Sequence, residues 1–331
     1  MQTVNTHQNG VALITILLVV VIATVLSVAM VRDQNMTIVQ TRNFFNQSQA
    51  KQYALGGEEL ARQILWEDFD NGQKKDYLLE NWADKEMQFE FEDGEVRLQI
   101  EDMQSLLNVN SLASSSPTGL QARARFINLF AEIGIDPVYV DRIADWIDED
   151  ANVRQLGAED FEYLGMDRPY RTSGQMMVDI SELRLLLDMD REKYQRLLPY
   201  VTALPDPESV LNINTAKGAV LQTVSKDLRL EVAQQLADIR DEKEGFDSVE
   251  EFLQLPELAG MAISGQGLGV QSAFFKVRIT AKFRERFSYL TSIIQRDLID
   301  GSTRVIYRNS SKKILPVVES RDEEVGDNSN G

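Results

Sequence analysis

Cysteine is absent from the 331-residue sequence, and the single histidine, His7, lies close to its start. Without cysteine the chain can form no disulfide, thiolate nucleophile, cysteine-bound zinc site or cysteine-ligated iron–sulfur cluster. A lone histidine so near the start also argues against a histidine metal site or a catalytic triad. Because most of the usual catalytic groups are missing, we expect the protein not to be an enzyme.

Positive charge is also scarce, with 34 lysine and arginine residues against 52 aspartate and glutamate residues and a formal net charge of −18. Nucleic-acid binding generally requires a positive surface that displaces counterions from the phosphates. We therefore expect no nucleic-acid partner, and the excess of carboxylates favours cations or other proteins as partners.

Charge is missing altogether from Val11–Val31, a run of 21 residues that also contains no proline. As a helix this run would extend ~32 Å, enough to cross the hydrocarbon core of a bilayer. A buried helix of a soluble protein and a cleaved secretory signal are the alternatives. The run is longer than a usual signal core and lacks a small-x-small cleavage site followed by polar residues. We therefore predict a transmembrane helix at 11–31.

A short polar leader, residues 1–10, ends in Gly10 immediately before the apolar run. This arrangement resembles that of prepilins, in which a prepilin peptidase cuts after the glycine on the cytoplasmic side. The resemblance implies processing between Gly10 and Val11, with methylation as a further expected modification. The apolar helix would then remain as a membrane anchor.

The remaining chain alternates between helical and strand patterns. The helical pattern continues to about Trp66, where Gly56–Gly57 is a candidate bend. Alternating residues at 87–92 and 95–100 are joined by Asp93–Gly94, which predicts a β-hairpin. Strand patterns return at 274–283, 287–296 and 303–308, and a helical block separates the two groups. The predicted divisions are 32–104 for the rest of the helix and first strands, 105–262 for the helical insertion, 263–310 for the last strands and 311–331 for a disordered acidic tail.

The helical block contains an internal repeat: LLNVNS at 106–111 is similar to VLNINT at 210–215. Asparagine, serine and threonine accept the free N–H groups at helix starts. We therefore predict that Asn110 or Ser111, and Asn214 or Thr215, cap the helix that follows each copy.

Residues 141–167 hold nine carboxylates and two arginines. Within this segment Asp148, Asp150 and Asn152 alternate, and Glu159 lies eleven residues after Asp148, which is the oxygen spacing of a calcium-binding loop. Val153 occupies the position where an EF-hand requires glycine, so we expect calcium in another loop geometry, with Asp160 as a further ligand. A solvated acidic surface is the alternative, and two of these carboxylates could also serve glycoside hydrolysis.

Taken together, these features resemble the minor pseudopilin K family of the bacterial type II secretion system, also called general secretion pathway protein K. The motifs that carry the resemblance are GVALITILLVVVIATVLS at 10–27, YALGGEELA at 53–61, DWIDEDANVRQLGAEDFEYL at 145–164, RPYR at 168–171, ISELRLL at 180–186 and LNINTA at 211–216. The resemblance implies an α+β type IV pilin-like fold, a long N-terminal transmembrane helix with an antiparallel sheet and a large all-helical insertion that carries a calcium loop.

The same resemblance implies a role and a place in the cell. Such a protein would span the bacterial inner membrane once, with its C-terminal domain in the periplasm. It would cap the tip of a short pseudopilus with minor pseudopilins I and J, initiate assembly on the inner-membrane platform and support protein export.

In most pilins the fifth mature residue is glutamate, whereas here it is Thr15. A minor pilin of a type IV pilus or uptake machine and a membrane-anchored periplasmic hydrolase are the alternatives.

Overall fold

The computed structural model describes residues 8–71, 74–83 and 86–311. Helix α1 (Gln8–Asp70) contains both the apolar run and its predicted continuation, which confirms the long N-terminal helix from Gln8 onward. Residues 1–7 of the predicted leader and residues 312–331 of the predicted tail lie outside the described residues.

The strands of the described chain are, in chain order, β1 (Met87–Phe91), β2 (Gly94–Asp102), β3 (Leu107–Asn108), β4 (Val201–Thr202), β5 (Leu211–Asn212), β6 (Leu268–Gly269), β7 (Phe274–Phe283), β8 (Arg286–Arg296) and β9 (Thr303–Asn309). Five of them form one antiparallel sheet in the order β1-β2-β7-β8-β9. The predicted hairpin is confirmed, because β1 and β2 pair from Met87 with Leu98 to Phe91 with Gly94. Alternation of apolar and polar residues gives the sheet one buried face.

Helix α1 packs on that buried face. Ala54, Ala61 and Leu65 of the helix meet Val96 of β2 and Ile279 of β7 in one apolar core. Helix α1 continues without a break through Gly56–Gly57, the candidate bend. Gly57 is required there for close packing. A Cβ atom on Gly57 would lie 2.8 Å from Val96 Cγ1 and 3.0 Å from Ile279 Cγ2, so only glycine lets helix and sheet approach this closely.

The contacts of α1 also fix the direction of the sheet. Tyr53 packs against Phe91 and Phe283, whose strands end at the turns nearer the apolar run, with ring centroids 5.4 and 5.5 Å apart. Farther along the helix, Arg62 donates a 2.8 Å hydrogen bond to the carbonyl of Thr303. The strand ends at Asp102 and Phe274 therefore lie at the end of the sheet away from the apolar run, and the connection between β2 and β7 leaves from that end.

This connection is the insertion, and it confirms the predicted α+β fold with a helical block inside the sheet. Its helices are α2 (Pro117–Glu132), α3 (Val138–Ile147), α4 (Asp160–Leu164), α5 (Arg191–Leu197), α6 (Gly218–Leu221), α7 (Leu230–Glu242) and α8 (Val249–Leu253). It also contains two short parallel pairs, β3 with β4 and β5 with β6, which interrupt the predicted all-helical block. Phe126, Phe130, Ile143, Trp146 and Phe246 contribute to a core separate from that of the sheet.

None of the four predicted residues, Asn110, Ser111, Asn214 and Thr215, caps α2 or α6, and in the first repeat it is Asn108 that caps a short 3-10 helix at 109–113. Asn110 Oδ1 accepts a 2.8 Å hydrogen bond from the N–H of Met177, and Asn214 Oδ1 accepts one of 2.8 Å from the N–H of Phe246. Helix α2 is instead capped by Ser116, whose side chain accepts the N–H of Gly119. The prediction was wrong because both asparagines are fully buried and satisfy backbone groups of distant segments.

The insertion is fixed to the sheet by buried polar residues. Asp102, at the end of β2, accepts hydrogen bonds from Ser272 Oγ at 2.6 Å and from Thr215 Oγ1 at 2.5 Å. Close by, Arg296 donates to both carboxylate oxygens of Asp76 and to the carbonyl of Ser272. These hydrogen bonds therefore connect the two ends of the insertion, at Asp102 and Ser272, to each other and to the sheet.

Candidate functional site

The predicted calcium ligands lie in the loop between α3 and α4. Helix α3 ends at Ile147, where Asp148 adopts extended backbone angles, and Glu159 immediately precedes α4. In this loop Asp148, Asp150 and Glu159 each place a carboxylate oxygen within 4.8 Å of the others. The fold therefore brings together three of the five residues that the sequence pattern selected.

Two of these carboxylates have an oxygen that no hydrogen bond satisfies. Within the described part of the chain, Asp148 Oδ1 and Glu159 Oε1 are buried and have no hydrogen-bond partner. Glu159 is only 4% exposed. Buried polar atoms are normally paired, and a buried carboxylate oxygen without a donor is unfavourable. Oxygen donors left open in this way fit a hard cation such as calcium, which prefers carboxylate and carbonyl ligands.

The electrostatics of the loop point the same way. Burial and, to a smaller extent, the negative charges of Asp145, Asp148 and Asp150 together raise the pKa of Glu159 to about 7. Each of these causes penalises the ionised form of Glu159. A bound cation would act in the opposite direction, because an opposite charge nearby favours the carboxylate.

The other two predicted ligands lie beside the three-carboxylate group. Asn152 is exposed, and its backbone N–H donates a 2.7 Å hydrogen bond to Asp150 Oδ1. Asp160 is occupied by another segment, because its oxygens accept from Thr172 N at 3.0 Å and from Arg171 Nη1 at 2.8 Å. The backbone N–H of Asn152 thus fixes the position of the Asp150 carboxylate. Asp160 connects residues 171–172 to the start of α4.

Residues that the sequence pattern did not select hold the loop in place. The side chain of Asp145 is fully buried, and it accepts Arg154 Nη1 at 2.6 Å and the N–H of Arg154 at 3.1 Å. A Cβ atom on Gly157 would lie 1.7 Å from Asp145 Oδ2, so the loop requires glycine there. Gly174, with φ of +57°, donates from its N–H to the carbonyl of Trp146 at 3.1 Å. The only signals in the sequence were Arg154, one of the two arginines of the acidic segment, and Gly157 three residues after it.

The apolar run forms a second candidate site at the other end of the molecule. Among the described residues, one helix is long and apolar enough to cross a membrane, and its best 18-residue window has a mean hydropathy of 3.0 with no part buried. Thr15 Oγ1 donates a 2.9 Å hydrogen bond to the carbonyl of Ala12, so the hydroxyl needs no further partner. Gly10 and Val11, the residues of the predicted cleavage, lie within α1.

Comparison with known proteins gives consistent matches. A family model described as "Type II secretion system (T2SS), protein K" matches residues 105–206, and a second model with the same description matches 211–271. Type II secretion system protein K of Pseudomonas aeruginosa is 35% identical over 321 residues, covering 94% of this chain and 95% of the relative. The protein K of Klebsiella pneumoniae is 35% identical over 269 residues, covering 77% of this chain and 81% of the relative.

A solved structure matches the fold as well. The crystal structure of the GspK–GspI–GspJ complex from enterotoxigenic Escherichia coli contains a chain that superposes with a TM-score of 0.72 at 28% identity. The match covers 82% of this chain and 99% of that chain. The similarity therefore includes the helical insertion as well as the sheet.

Proposed function

Because the chain belongs to the type II secretion system protein K family, we propose that it is the minor pseudopilin that caps the tip of the periplasmic pseudopilus. In this proposal it assembles with minor pseudopilins I and J, initiates fibre assembly and supports protein export across the outer membrane. The family is one of structural secretion components rather than enzymes. The match to secretion proteins K over most of the chain favours this role over the type IV minor pilin.

The observation that carries the capping role is the position of the insertion. The chain leaves the sheet after Asp102 and returns at Phe274, both at the end away from the apolar helix. A fibre built on the apolar helices would grow with this end in front. The insertion has its own core and would occupy the space that the head of a preceding subunit needs.

Thr15 supports the same role from the membrane side. In the pilin class a glutamate at the fifth mature position is thought to pair with the N-terminal amine of the subunit ahead, and here Thr15 takes that position, counted from Val11. An uncompensated carboxylate in lipid costs ~3 kcal/mol or more. A first subunit has no amine ahead of it, so an uncharged Thr15 whose hydroxyl already bonds to Ala12 is favourable.

The proposal includes processing and location. A prepilin peptidase would cut between Gly10 and Val11, and the mature helix would anchor the chain once in the bacterial inner membrane. The head and the insertion would then stand in the periplasm, within reach of the assembly platform below and of I and J beside it.

The proposal also includes calcium in the loop between α3 and α4. Asp148, Asp150 and Glu159 would hold the ion, with Asn152 and Asp160 at the edge of the site. When bound, the ion would neutralise carboxylates that are otherwise crowded and buried. The two open oxygens, Asp148 Oδ1 and Glu159 Oε1, support this assignment.

Native mass spectrometry of the full chain, co-expressed in detergent with I and J of the same host, tests the proposed role. We expect a 1:1:1 complex and no assembly that contains two copies of this chain. A chain that stays monomeric in the presence of both candidates would contradict the proposal.

A further inference from the structure

Arg154 forms ion pairs with two carboxylates of the loop between α3 and α4. Its Nη1 atom forms ion pairs with Asp145 Oδ1 at 2.6 Å and with Asp148 Oδ2. Its backbone N–H donates to the second oxygen of Asp145 at 3.1 Å. One residue therefore neutralises a fully buried carboxylate and one of the three carboxylates proposed to hold the ion.

The two oxygens of Asp148 are consequently in different states. Oδ2 is engaged by Arg154, whereas Oδ1 is buried and has no hydrogen-bond partner within the described residues. Glu159 Oε1 is open in the same way. The guanidinium of Arg154 thus neutralises Asp148 at Oδ2. Asp148 Oδ1 and Glu159 Oε1 remain as oxygen atoms that a cation could bind.

We infer that Arg154 is a built-in competitor of the calcium ion, which keeps the loop folded when the ion is absent and weakens calcium binding when it is present. The inference rests on the calcium site of the proposed function. It adds a residue that sets the affinity of that site.

The argument is electrostatic. A positive charge paired with Asp148 repels a divalent cation held by the same carboxylate, and partly buried charges are screened little by salt. Removing the guanidinium would leave Asp145 and Asp148 uncompensated. Breaking a buried ion pair from one side is strongly destabilising because the remaining charge has no partner. A divalent cation would relieve that cost, so its binding would become more favourable.

Isothermal titration of calcium into the full chain in detergent tests the inference, with Arg154→Gln as the variant. We expect Arg154→Gln to bind calcium at least tenfold more tightly than the wild type. In chelator the variant should melt below the wild type, and calcium should restore most of the difference.

Arg168→Gln is the matched control, because Arg168 is exposed and lies in the RPYR segment, outside the group of proposed calcium ligands. It removes the same charge from the same region, and its affinity should stay within threefold of the wild type. Arg154→Lys keeps the charge and should also bind nearly as the wild type does. If Arg154→Gln fails to fold in chelator, the calcium affinity of Arg154→Lys still tests the inference, and a tenfold change in that affinity would contradict it.

The outcomes separate this inference from the calcium proposal itself. Equal or weaker binding by Arg154→Gln would overturn the inference, since Arg154 would then position ligands rather than compete. Absence of binding in both proteins would overturn it as well. Binding by the variant alone would support the inference and contradict calcium occupancy in the wild type.

Discussion

Asp102 and Ser272 are 170 residues apart in the chain and are joined by a buried hydrogen bond of 2.6 Å from Ser272 Oγ to Asp102 Oδ2. One residue ends the strand before the insertion and the other precedes the strand after it. Asp102 also accepts from Gln104 N at 2.7 Å and from Asn212 Nδ2 at 3.2 Å. The bond thus closes the base of the insertion and holds it at one end of the sheet.

Replacement of Asp102 by alanine should loosen this base. The change leaves Ser272, Thr215 and Asn212 without their common acceptor in a buried site, which should lower the free energy of unfolding by about 2–4 kcal/mol. Chemical denaturation followed by circular dichroism measures the loss. Asp238→Ala removes an exposed carboxylate of α7 and should change stability by less than about 0.5 kcal/mol. Equal effects of the two variants would contradict the role of Asp102.

The neighbouring glycines of α1 offer a matched pair. Gly57→Ala places a methyl group 2.8 Å from Val96 Cγ1 and should destabilise the head. Overpacking of this kind costs about 1–3 kcal/mol. A Cβ on Gly56 meets nothing within 4 Å, so Gly56→Ala should stabilise the helix by about 0.5–1 kcal/mol. Thermal denaturation distinguishes them, and a destabilising Gly56→Ala would contradict the packing described here.

Removal of Asp148 and Asp150 together should abolish stabilisation by calcium. For the wild type, a calcium concentration one hundred times the dissociation constant is worth about 2.7 kcal/mol of unfolding free energy. The Asp148→Ala, Asp150→Ala double variant should melt at the same temperature with calcium and with chelator. Asp167→Ala, an exposed carboxylate of the same acidic segment, should keep the full response. A wild type that melts identically in calcium and in chelator would rule the site out.

Thr15→Glu should change the place of the protein in the fibre. A carboxylate in the apolar helix becomes favourable when the amine of another subunit lies ahead of it, so the variant should permit or require a further subunit in front. Cross-linking to the other pseudopilins in membranes reports the neighbours of the variant. Thr15→Val keeps the position uncharged and should behave as the wild type does. A Thr15→Glu variant found only at the tip, with normal secretion, would contradict the argument.

The sheet and the long helix were predictable because their patterns are local. The alternation at 274–283 predicts β7 with its observed bounds, and the apolar run predicts the N-terminal part of α1. Asp93–Gly94 predicts the hairpin because this pair suits a tight turn between strands. In each case neighbours in sequence decide the structure.

The contacts that complete the site could not be predicted in the same way. Asn110 and Asn214 resemble helix caps in sequence, yet they bond to backbone groups 67 and 32 residues away. The carboxylates at 148, 150 and 159 were selected by spacing, whereas the buried pair of Asp145 and Arg154 depends on how the loop folds back on α3. Asp145 and Glu159 are both buried, yet only Asp145 pairs with Arg154. The fold of the loop decides this difference, and the spacing of the carboxylates does not.

The position of the protein in the assembled fibre tests the account most directly. Because the chain has no cysteine, Asp238→Cys introduces a single thiol on the exposed side of α7 for a gold label. Electron microscopy of fibres purified with the labelled protein should show one gold particle per fibre, always at one end. Particles distributed along the fibres would contradict the capping role.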